Sequence, residues 1–304
     1  MDIRQLRYFI CIVESGSFSE ASRKLHIVQP ALSQRLADLE EELSAQLLVR
    51  GRTGVTMTDA GAELYQRARI IVKQMDAAKV AVQEKAGKAC GGVSIGVLRS
   101  LVHVIGGALF MKVKQELPDI QLTVVEGYSD ELMARLRATR LDLTMQVVSP
   151  HNKGMPSLPL FAERVCLVGT RSFMPARVKS IKLTHLEGLP MLLNARHPGH
   201  DLLLELAERS GVTLSMVGGI EDTSSVLDVC AASMAVTLLP ESTARRAGVT
   251  HGLLRVPLDE PDMVRELVLV GNPDVPKTGA VAAVEAVFLQ LVAEMLEGTG
   301  IRKL

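Results

Sequence analysis

The chain has 304 residues, with 34 acidic side chains (Asp and Glu) balanced by 34 basic ones (Lys and Arg). This length accommodates about two domains, and an apolar content of 47% excludes an intrinsically disordered chain. Because the net charge is zero, no overall field draws the protein to nucleic acid or to an anionic membrane. Any DNA binding must therefore arise from the local placement of side chains.

Signals for export and membrane insertion are missing from the sequence. Apolar runs such as residues 93–98 and 280–284 are too short to cross a bilayer. The first residues lack the basic segment and apolar stretch of a secretory signal, so we expect a cytoplasmic protein without a membrane span. The cysteines lie far apart, which favours reduced thiols over a disulfide framework or a zinc site: Cys11, Cys90, Cys166 and Cys230.

The first part of the chain shows the pattern of three short helices. Apolar residues between Ile3 and Val13 recur three and four apart, as on one face of a helix, and Gly16 ends that helix. Ser19 is the predicted N-cap of a second helix that reaches Leu25. Pro30 suits the first turn of a third helix, whose apolar stripe is Leu32, Leu36, Leu39 and Leu43.

The segment from Arg50 to Thr56 carries two glycines and β-branched residues, which predicts a β-hairpin wing. A helix-turn-helix places the N-terminal end of its second helix in the major groove, where glutamine amides hydrogen-bond base edges. Asp38 and residues 40–42 are acidic and lie in later turns, away from the phosphates. We therefore predict a winged helix-turn-helix over residues 1–58, with DNA contacts from Gln29, Pro30, Ser33, Gln34, Arg35, Arg50 and Arg52.

A long helix is predicted from Thr58 or Asp59 to about Gly87, because apolar residues alternate spacings of four and three. This unbroken pattern favours a partner helix, so residues 59–87 are interpreted as a linker that dimerises the chain. The predicted seam consists of Leu64, Ala68, Ile71, Met75, Ala78 and Val82. Glycines then interrupt the pattern, and we expect a hinge over residues 88–92.

Strand and helix patterns alternate over residues 93–304, which indicates parallel α/β layers. Predicted strands cover residues 93–97, 120–125, 141–148, 164–169, 191–194, 213–217, 235–239 and 267–271. Predicted helices cover residues 129–138, 202–211, 224–232 and 280–296.

These residues resemble one known family, the LysR-type transcriptional regulators. The similarity is strongest at Leu6-Arg7-Tyr8-Phe9, at Gln29-Pro30-Ala31-Leu32-Ser33 and from Val55 to Gly61, and weaker matches extend over nearly all of the chain. Within the family, the sequence is most similar to the nitrogen-assimilation-control branch. The resemblance implies a homodimer, commonly assembled into a homotetramer, that binds an imperfectly palindromic promoter site and activates or represses transcription, with RNA polymerase as a further partner.

The resemblance also implies a body like that of periplasmic binding proteins, with an effector pocket between two subdomains. Subdomain I would comprise about residues 93–162 and 268–297, and subdomain II about residues 163–267. Helix N-termini after the strands favour anions, so we expect a small anionic effector such as a carboxylate. The predicted effector-binding residues are Arg99, Ser100, Ser129, Arg196 and Thr223.

One departure from the family pattern concerns residues 233–236, which read Ser-Met-Ala-Val where the family usually has a Gly-x-Gly run. We expect less freedom for positive φ there, which weighs against effector binding in the usual manner of the family.

Other function classes remain open at this stage. An α/β body also suits an enzyme or a small-molecule-binding protein without a DNA role. His197 and His200 lack a third metal ligand nearby, and a redox sensor based on Cys166 and Cys230 needs an accessible thiol of low pKa. The sequence contains no phosphate-binding or nucleophile-elbow motif, so we expect neither catalysis nor a cofactor.

Overall fold

The computed structural model describes residues 1–51, 54–84, 90–149, 152, 154–175, 178–194, 199–297 and 301–304. Two predicted site residues, Arg52 and Arg196, lie outside the described residues. His197 and residues 85–89, which include the start of the expected hinge, also lie outside them.

The N-terminal head contains three helices and a two-stranded antiparallel hairpin: α1 (Ile3–Ser15), α2 (Phe18–Leu25), α3 (Gln29–Glu42), β1 (Leu48–Gly51) and β2 (Gly54–Met57). The carboxylate of Asp2 caps α1 by accepting the backbone N–H groups of Arg4 and Gln5 at 2.7 and 2.8 Å. Ser17, not Ser19, caps α2, since its Oγ accepts the Glu20 N–H at 3.2 Å. The predicted N-cap was therefore wrong by two residues.

The hairpin is fixed against the turn between α1 and α2 by two glycines. Gly16 ends α1 with φ of 65°, and its carbonyl accepts the Val55 N–H at 2.9 Å. A Cβ on Gly54, which has φ of 122°, would lie only 2.6 Å from the same carbonyl oxygen. The close approach of the two backbones therefore requires glycine at position 54.

The linker helix α4 (Asp59–Glu84) has 26 residues and starts against the base of the hairpin. The Thr58 Oγ1 accepts the Gly61 N–H at 3.0 Å and donates to the Gln46 carbonyl at 2.7 Å. A Cβ on Gly61 would lie 2.0 Å from the Leu47 carbonyl oxygen, so this first turn also depends on glycine. These contacts make the head and the linker continuous.

Subdomain I of the body is built on a six-stranded sheet. Its elements are β3 (Gly91–Leu98), α5 (Arg99–Glu116), β4 (Ile120–Gly127), α6 (Ser129–Arg137), β5 (Leu143–Val147), β6 (Ser157–Glu163), β12 (Arg265–Gly271), α10 (Gly279–Leu296) and β13 (Arg302–Lys303). The strand order is β13-β6-β12-β5-β3-β4. Strand β3 pairs in parallel with β4 and β5, whereas β12 pairs antiparallel with β5 and β6. The prediction of parallel layers was thus wrong for half of the sheet, because the chain leaves subdomain I along β6 and returns along β12.

The described part of subdomain II contains the remaining strands, three α-helices and two short 3-10 helices. Its elements are β7 (Val165–Gly169), a 3-10 helix (Leu183–Leu186), β8 (Pro190–Leu193), α7 (Gly199–Arg209), β9 (Ser215–Gly219), α8 (Thr223–Ala231), β10 (Thr237–Pro240), α9 (Glu241–His251), β11 (Leu254–Pro257) and a 3-10 helix (Pro261–Met263). Strands β10 and β11 flank β7 in antiparallel pairs, and a bridge from Met191 to Val236 connects them to the parallel pair β8–β9.

Among the described residues, one helix, α10, is long and apolar enough to cross a membrane. Val284, Phe288 and Val292 on this helix are almost completely buried in the core of subdomain I. Charged residues interrupt its outer face, where Glu294 pairs with Lys112 of α5 at 2.7 Å. These contacts are those of a core helix.

Candidate DNA-binding surface and effector cleft

The N-terminal turns of α3 form an exposed polar surface on the head. Leu32, Leu36 and Leu39 are buried in the head core, which turns the opposite face of the helix outward. Within the described part of the chain, no side chain caps α3, so its first backbone N–H groups are available to a phosphate. The predicted contact residues on this face are exposed, except for the partly exposed Ser33: Gln29, Pro30, Ser33, Gln34 and Arg35.

Two hydrogen bonds within the head orient the glutamine amides of this surface. The Ser19 hydroxyl donates to Oε1 of Gln29 at 2.9 Å, so Ser19 orients this predicted DNA contact instead of capping α2. Gln34 Nε2 donates to the Asp38 carboxylate at 2.8 Å. Sequence reasoning missed both partners, because each bond depends on side-chain direction rather than on apolar spacing.

Arg50 of the wing is exposed, and its guanidinium lies over the ring of Phe18, 4.0 Å from the ring centroid. Phe18 is buried and opens α2, so this cation–π contact holds Arg50 beside the N-terminus of α2. The wing arginine therefore occupies a defined position on the same side of the head.

Two of the acidic residues late in α3, Glu40 and Glu42, have partners within the head. Glu40 Oε1 accepts the backbone N–H groups of Leu47 and Leu48 at 2.7 and 3.1 Å, which fixes the entry to the hairpin. Glu42 pairs with the N-terminal amino group of Met1. Charge separation alone therefore did not explain this cluster.

The predicted dimer seam on α4 divides into two parts. Ala68 is fully buried in the chain itself and is not available to a partner helix, and Leu64 packs against the head core. Ile71, Met75 and Val82 are 42%, 40% and 73% exposed, although they are apolar, and Ala78 is also exposed. The exposed apolar stripe therefore begins at Ile71.

Helices from both subdomains meet with their N-termini at the cleft of the body. Tyr128 directly precedes α6, and its hydroxyl donates to Asn194 Oδ1 of subdomain II at 3.5 Å. Arg99 at the start of α5 lies over the Tyr128 ring, 5.1 Å from its centroid. Hydrogen bonds from Ser225 lower the pKa of Asp222 at the start of α8, and the charges of His103 and Arg99 on α5 lower it further. The cleft thus brings the start of α5, with Arg99, towards the start of α8.

The predicted effector residue Ser100 is already bound by a buried network that joins the subdomains. Its Oγ accepts from Arg265 Nη1 at 3.1 Å, and its carbonyl accepts from the Thr243 hydroxyl at 2.6 Å. Arg265 also donates twice to Glu163 Oε1, at 2.8 and 2.6 Å, and the Glu163 side chain is fully buried. The other Glu163 oxygen accepts the Ser242 N–H at 2.8 Å. Sequence reasoning did not identify the other members of this network.

The remaining predicted effector residues occupy helix starts. Ser129 and Thr223 are the first residues of α6 and α8, and both are partly exposed. Arg99 is also partly exposed, and its Nε is a buried nitrogen without a hydrogen-bond partner.

Ser233 adopts φ of 57° although it is not glycine, so the expected loss of positive φ at this position was wrong. Its hydroxyl donates to Thr170 Oγ1 at 2.9 Å.

The two buried cysteines lie in the core of subdomain II. Burial raises the pKa of Cys166 to about 12 and that of Cys230 to about 11, so both are protonated at neutral pH. Since the thiolate is the reactive form, these values argue against the redox-sensor alternative. Among the described residues, no group of three or more His, Cys, Asp and Glu side chains is arranged to hold a metal ion.

Comparisons with known proteins match both parts of the chain. The family model "Bacterial regulatory helix-turn-helix protein, lysR family" matches residues 3–62, and the model "LysR substrate binding domain" matches residues 86–293. The chain belongs to the LysR family of transcriptional regulators. This LysR-type regulator is 33% identical to the nitrogen assimilation regulatory protein nac of Klebsiella aerogenes, over 96% of both chains. It is 36% identical to the Escherichia coli K12 protein of the same name, over 83% of both chains.

Solved structures of the family share the fold of this regulator. A full-length OxyR variant from Pseudomonas aeruginosa superposes with a TM-score of 0.75 at 20% identity and covers 96% of this chain and 97% of its own. Full-length CbnR in complex with its target DNA gives 0.65 at 21% identity and covers 97% and 100%. These matches confirm the predicted fold class of a winged helix-turn-helix, a linker helix and a two-subdomain body.

The family membership also decides the function class. The chain is a DNA-binding transcriptional regulator with an effector-binding domain, and not an enzyme, since the family consists of transcriptional regulators. The two nac relatives are consistent with the predicted nitrogen-assimilation-control branch.

Proposed function

We propose that this regulator reads its promoter site with the N-terminal turns of α3 and holds the flanking DNA backbone with the wing. The observation that carries this proposal is that Gln29, Ser33 and Arg35 face outward beside uncapped N–H groups, while Arg50 is stacked nearby on Phe18. Amide and guanidinium groups in such a position hydrogen-bond base edges and phosphates. We propose that Arg52 contributes to the same backbone contact.

The proposed active form is a dimer that joins through the exposed stripe from Ile71 to Val82, and two dimers form a tetramer. The proposed domains are the head over residues 1–58, the linker over 59–87, the hinge over 88–92 and the body over 93–304. Dimerisation doubles the number of DNA contacts, which offsets the zero net charge of the chain. The site of action is chromosomal DNA in the cytoplasm, with RNA polymerase as the partner that senses the bound state.

The proposed effector is a small carboxylate or similar anion in the cleft between the subdomains. Arg99 supports this proposal because its guanidinium reaches the cleft and has a buried nitrogen without a partner. Ser129 and Thr223 are the first residues of α6 and α8, and a helix N-terminus favours an anion. Arg196 remains a proposed fourth contact.

A selection of bound duplexes from a random DNA pool tests the base-reading proposal. The full-length protein should recover one symmetric motif, and Gln29→Ala or Ser33→Ala should weaken binding to that motif by about 1–3 kcal/mol. Gln121→Ala, an exposed glutamine on β4, is the matched control. Equal losses on random DNA and on the motif would contradict base reading by these residues.

Sedimentation of the full-length protein tests the dimer proposal. Ile71→Asp places a charge in the proposed seam and should shift the dimer towards monomer. Lys79→Asp is the control, because Lys79 is exposed on the same helix and lies outside the seam. An unchanged mass for Ile71→Asp would refute the seam.

A thermal-shift screen with small carboxylates tests the effector proposal. Ligands that raise the melting temperature of the protein should lose this effect in Arg99→Gln, while operator affinity without ligand stays unchanged. Arg171→Gln, an exposed arginine of subdomain II, is the control. A ligand that stabilises Arg99→Gln as well as the unmodified protein would place the site elsewhere.

A further inference from the structure

A cluster of four polar side chains joins the head, the linker and the body of this regulator. We call it the junction cluster; it consists of Glu14 on α1, Tyr65 and Arg69 on α4, and Arg140 after α6. The Tyr65 hydroxyl donates to Glu14 at 2.9 Å and accepts from Arg69 Nη1 at 3.1 Å and from Arg140 Nη2 at 2.6 Å. One hydroxyl thus uses its donor and both of its lone pairs to connect three parts of the chain.

A second set of contacts attaches the linker to the C-terminal end of α6. Arg69 Nε donates to the Ala138 carbonyl and, at 3.2 Å, to Thr139 Oγ1. Lys73 donates to the Thr139 carbonyl at 3.4 Å and pairs with Asp142 at 2.6 Å. Cations are favoured at a helix C-terminus, where the carbonyl groups lack intrahelical partners. Arg69 and Lys73 of the linker therefore bind both backbone carbonyls and side chains at and just after the C-terminal end of α6.

The opposite end of the same helix lies in the effector cleft. Helix α6 has nine residues and a length of roughly 13 Å, and Tyr128 and Ser129 stand at its N-terminus. Leu132, Met133 and Leu136 along α6 are buried in the core of subdomain I, which holds the helix as one packed element. A displacement of α6 at its cleft end would therefore also displace its junction end, since a packed helix moves as a unit.

We propose that the junction cluster positions the DNA-binding head relative to the body, and that α6 couples this position to the state of the effector cleft. In a dimer, the orientation of each head sets the distance between the two half-sites that are bound together. The coupling half of this inference rests on the proposed effector cleft, whereas the positioning half rests only on the described contacts. Tyr65 and Arg140 are thus positioning residues for DNA binding.

The positioning half is tested with operator duplexes whose half-sites, taken from the selected motif, are separated by an increasing number of base pairs. Tyr65→Phe removes only the central hydroxyl and keeps the ring in the head core, while Arg140→Ala removes the contact from the body side. Both variants should bind a single half-site within about twofold of the affinity of the unmodified protein. The ratio of operator affinities at the best and the worst spacing, which we call the spacing preference, should fall about fivefold or more. Arg135→Ala, an exposed arginine on α6, is the matched control.

Two results would overturn the positioning role. An unchanged spacing preference in both variants would show that the cluster does not set the head orientation. A loss that is equally large on a single half-site would show that the cluster supports the head fold instead. Binding to the single half-site also measures base reading. If Gln29→Ala bound the half-site as tightly as the unmodified protein, the proposed base reading would be refuted, but the spacing result would still stand.

The coupling half is tested by combining a cleft variant with a junction variant. Tyr128→Phe removes the hydroxyl that reaches Asn194 across the cleft and should change the spacing preference of the full-length protein. The change should disappear when Tyr65→Phe is also present, because the junction then no longer transmits it. Independent effects of the two substitutions, or no effect of Tyr128→Phe, would overturn the coupling.

Discussion

Polar side chains serve opposite purposes on the head and in the cleft of the body. On the head, Gln29 and Gln34 are exposed and each is oriented by one hydrogen bond within the head, so most of their bonding capacity faces outward. In the cleft, Arg265 donates to both Ser100 and Glu163, and the Glu163 side chain is fully buried. The proposed DNA-binding surface is therefore already oriented without DNA. A ligand in the proposed cleft would instead meet the bonded Ser100 beside Arg99, whose Nε has no hydrogen-bond partner.

The largest effect is expected in the cleft, from Arg265→Met. This substitution leaves Glu163 buried without its main partner, and breaking such a pair lowers the free energy of unfolding by about 3–5 kcal/mol. Chemical denaturation of the full-length protein measures the loss. Arg164→Met is the control, because its side chain is 48% exposed and its contact to Glu241 is 3.8 Å long, so we expect less than about 1 kcal/mol. Equal losses of unfolding free energy in the two variants would show that the buried pair in the cleft stabilises the fold no more than the exposed pair does.

On the head, a backbone contact rather than a polar side chain should give the largest loss of stability. Gly54→Ala places a Cβ 2.6 Å from the Gly16 carbonyl oxygen at φ of 122°, which costs about 1–3 kcal/mol. Gly51→Ala in the same hairpin is the control, since its nearest contact would be 3.8 Å away. Thermal unfolding of the two variants should differ, and similar melting temperatures would show that the hairpin shifts to accommodate the methyl group.

The two serines near the start of α2 have different roles. Ser17 caps the helix, whereas Ser19 orients the Gln29 amide. Ser17→Ala removes the N-cap and should lower the free energy of unfolding by about 1 kcal/mol. Ser19→Ala should leave stability nearly unchanged and instead weaken the base preference opposite Gln29, because it releases the amide. Denaturation together with binding to operators mutated at single positions distinguishes the two variants. A larger stability loss from Ser19→Ala would contradict the assignment of the cap.

The smallest effect is expected from Arg50→Lys in the wing. Lysine keeps the charge but loses the flat guanidinium over Phe18, so operator affinity should fall by about 0.5–1 kcal/mol while the stability of the protein stays the same. Fluorescence anisotropy with a labelled operator measures this difference. Arg23→Lys serves as a second arginine of the head, exposed and paired with Glu20. No difference between the two variants would indicate that the stacked position of Arg50 does not matter for binding.

The missed elements show where local patterns fail to predict this fold. Helix α9 begins with Glu241, Ser242 and Thr243, which are buried polar residues, so it lacks an apolar stripe. Strand β6 contains Pro159, a residue that disfavours central strands, and the ladder to β12 shifts register between Leu267 and Val268. In contrast, α1 follows regular apolar spacing and was predicted within two residues at each end. The apolar stripe predicted for α3 includes its buried residues Leu32, Leu36 and Leu39.

The sequence by itself determined the head, the linker and the function class, because helix periodicity, glycine turns and the recognition motif are encoded by residues close together in the chain. Only the tertiary structure decided which polar groups meet. Tyr65 and Arg140 are separated by 75 positions, and Ser100 and Arg265 by 165. Such contacts depend on strand order and direction in the mixed sheet, which local spacing does not specify. Tertiary packing likewise decides that Ala68 is buried whereas Ile71, on the same helix α4, is exposed.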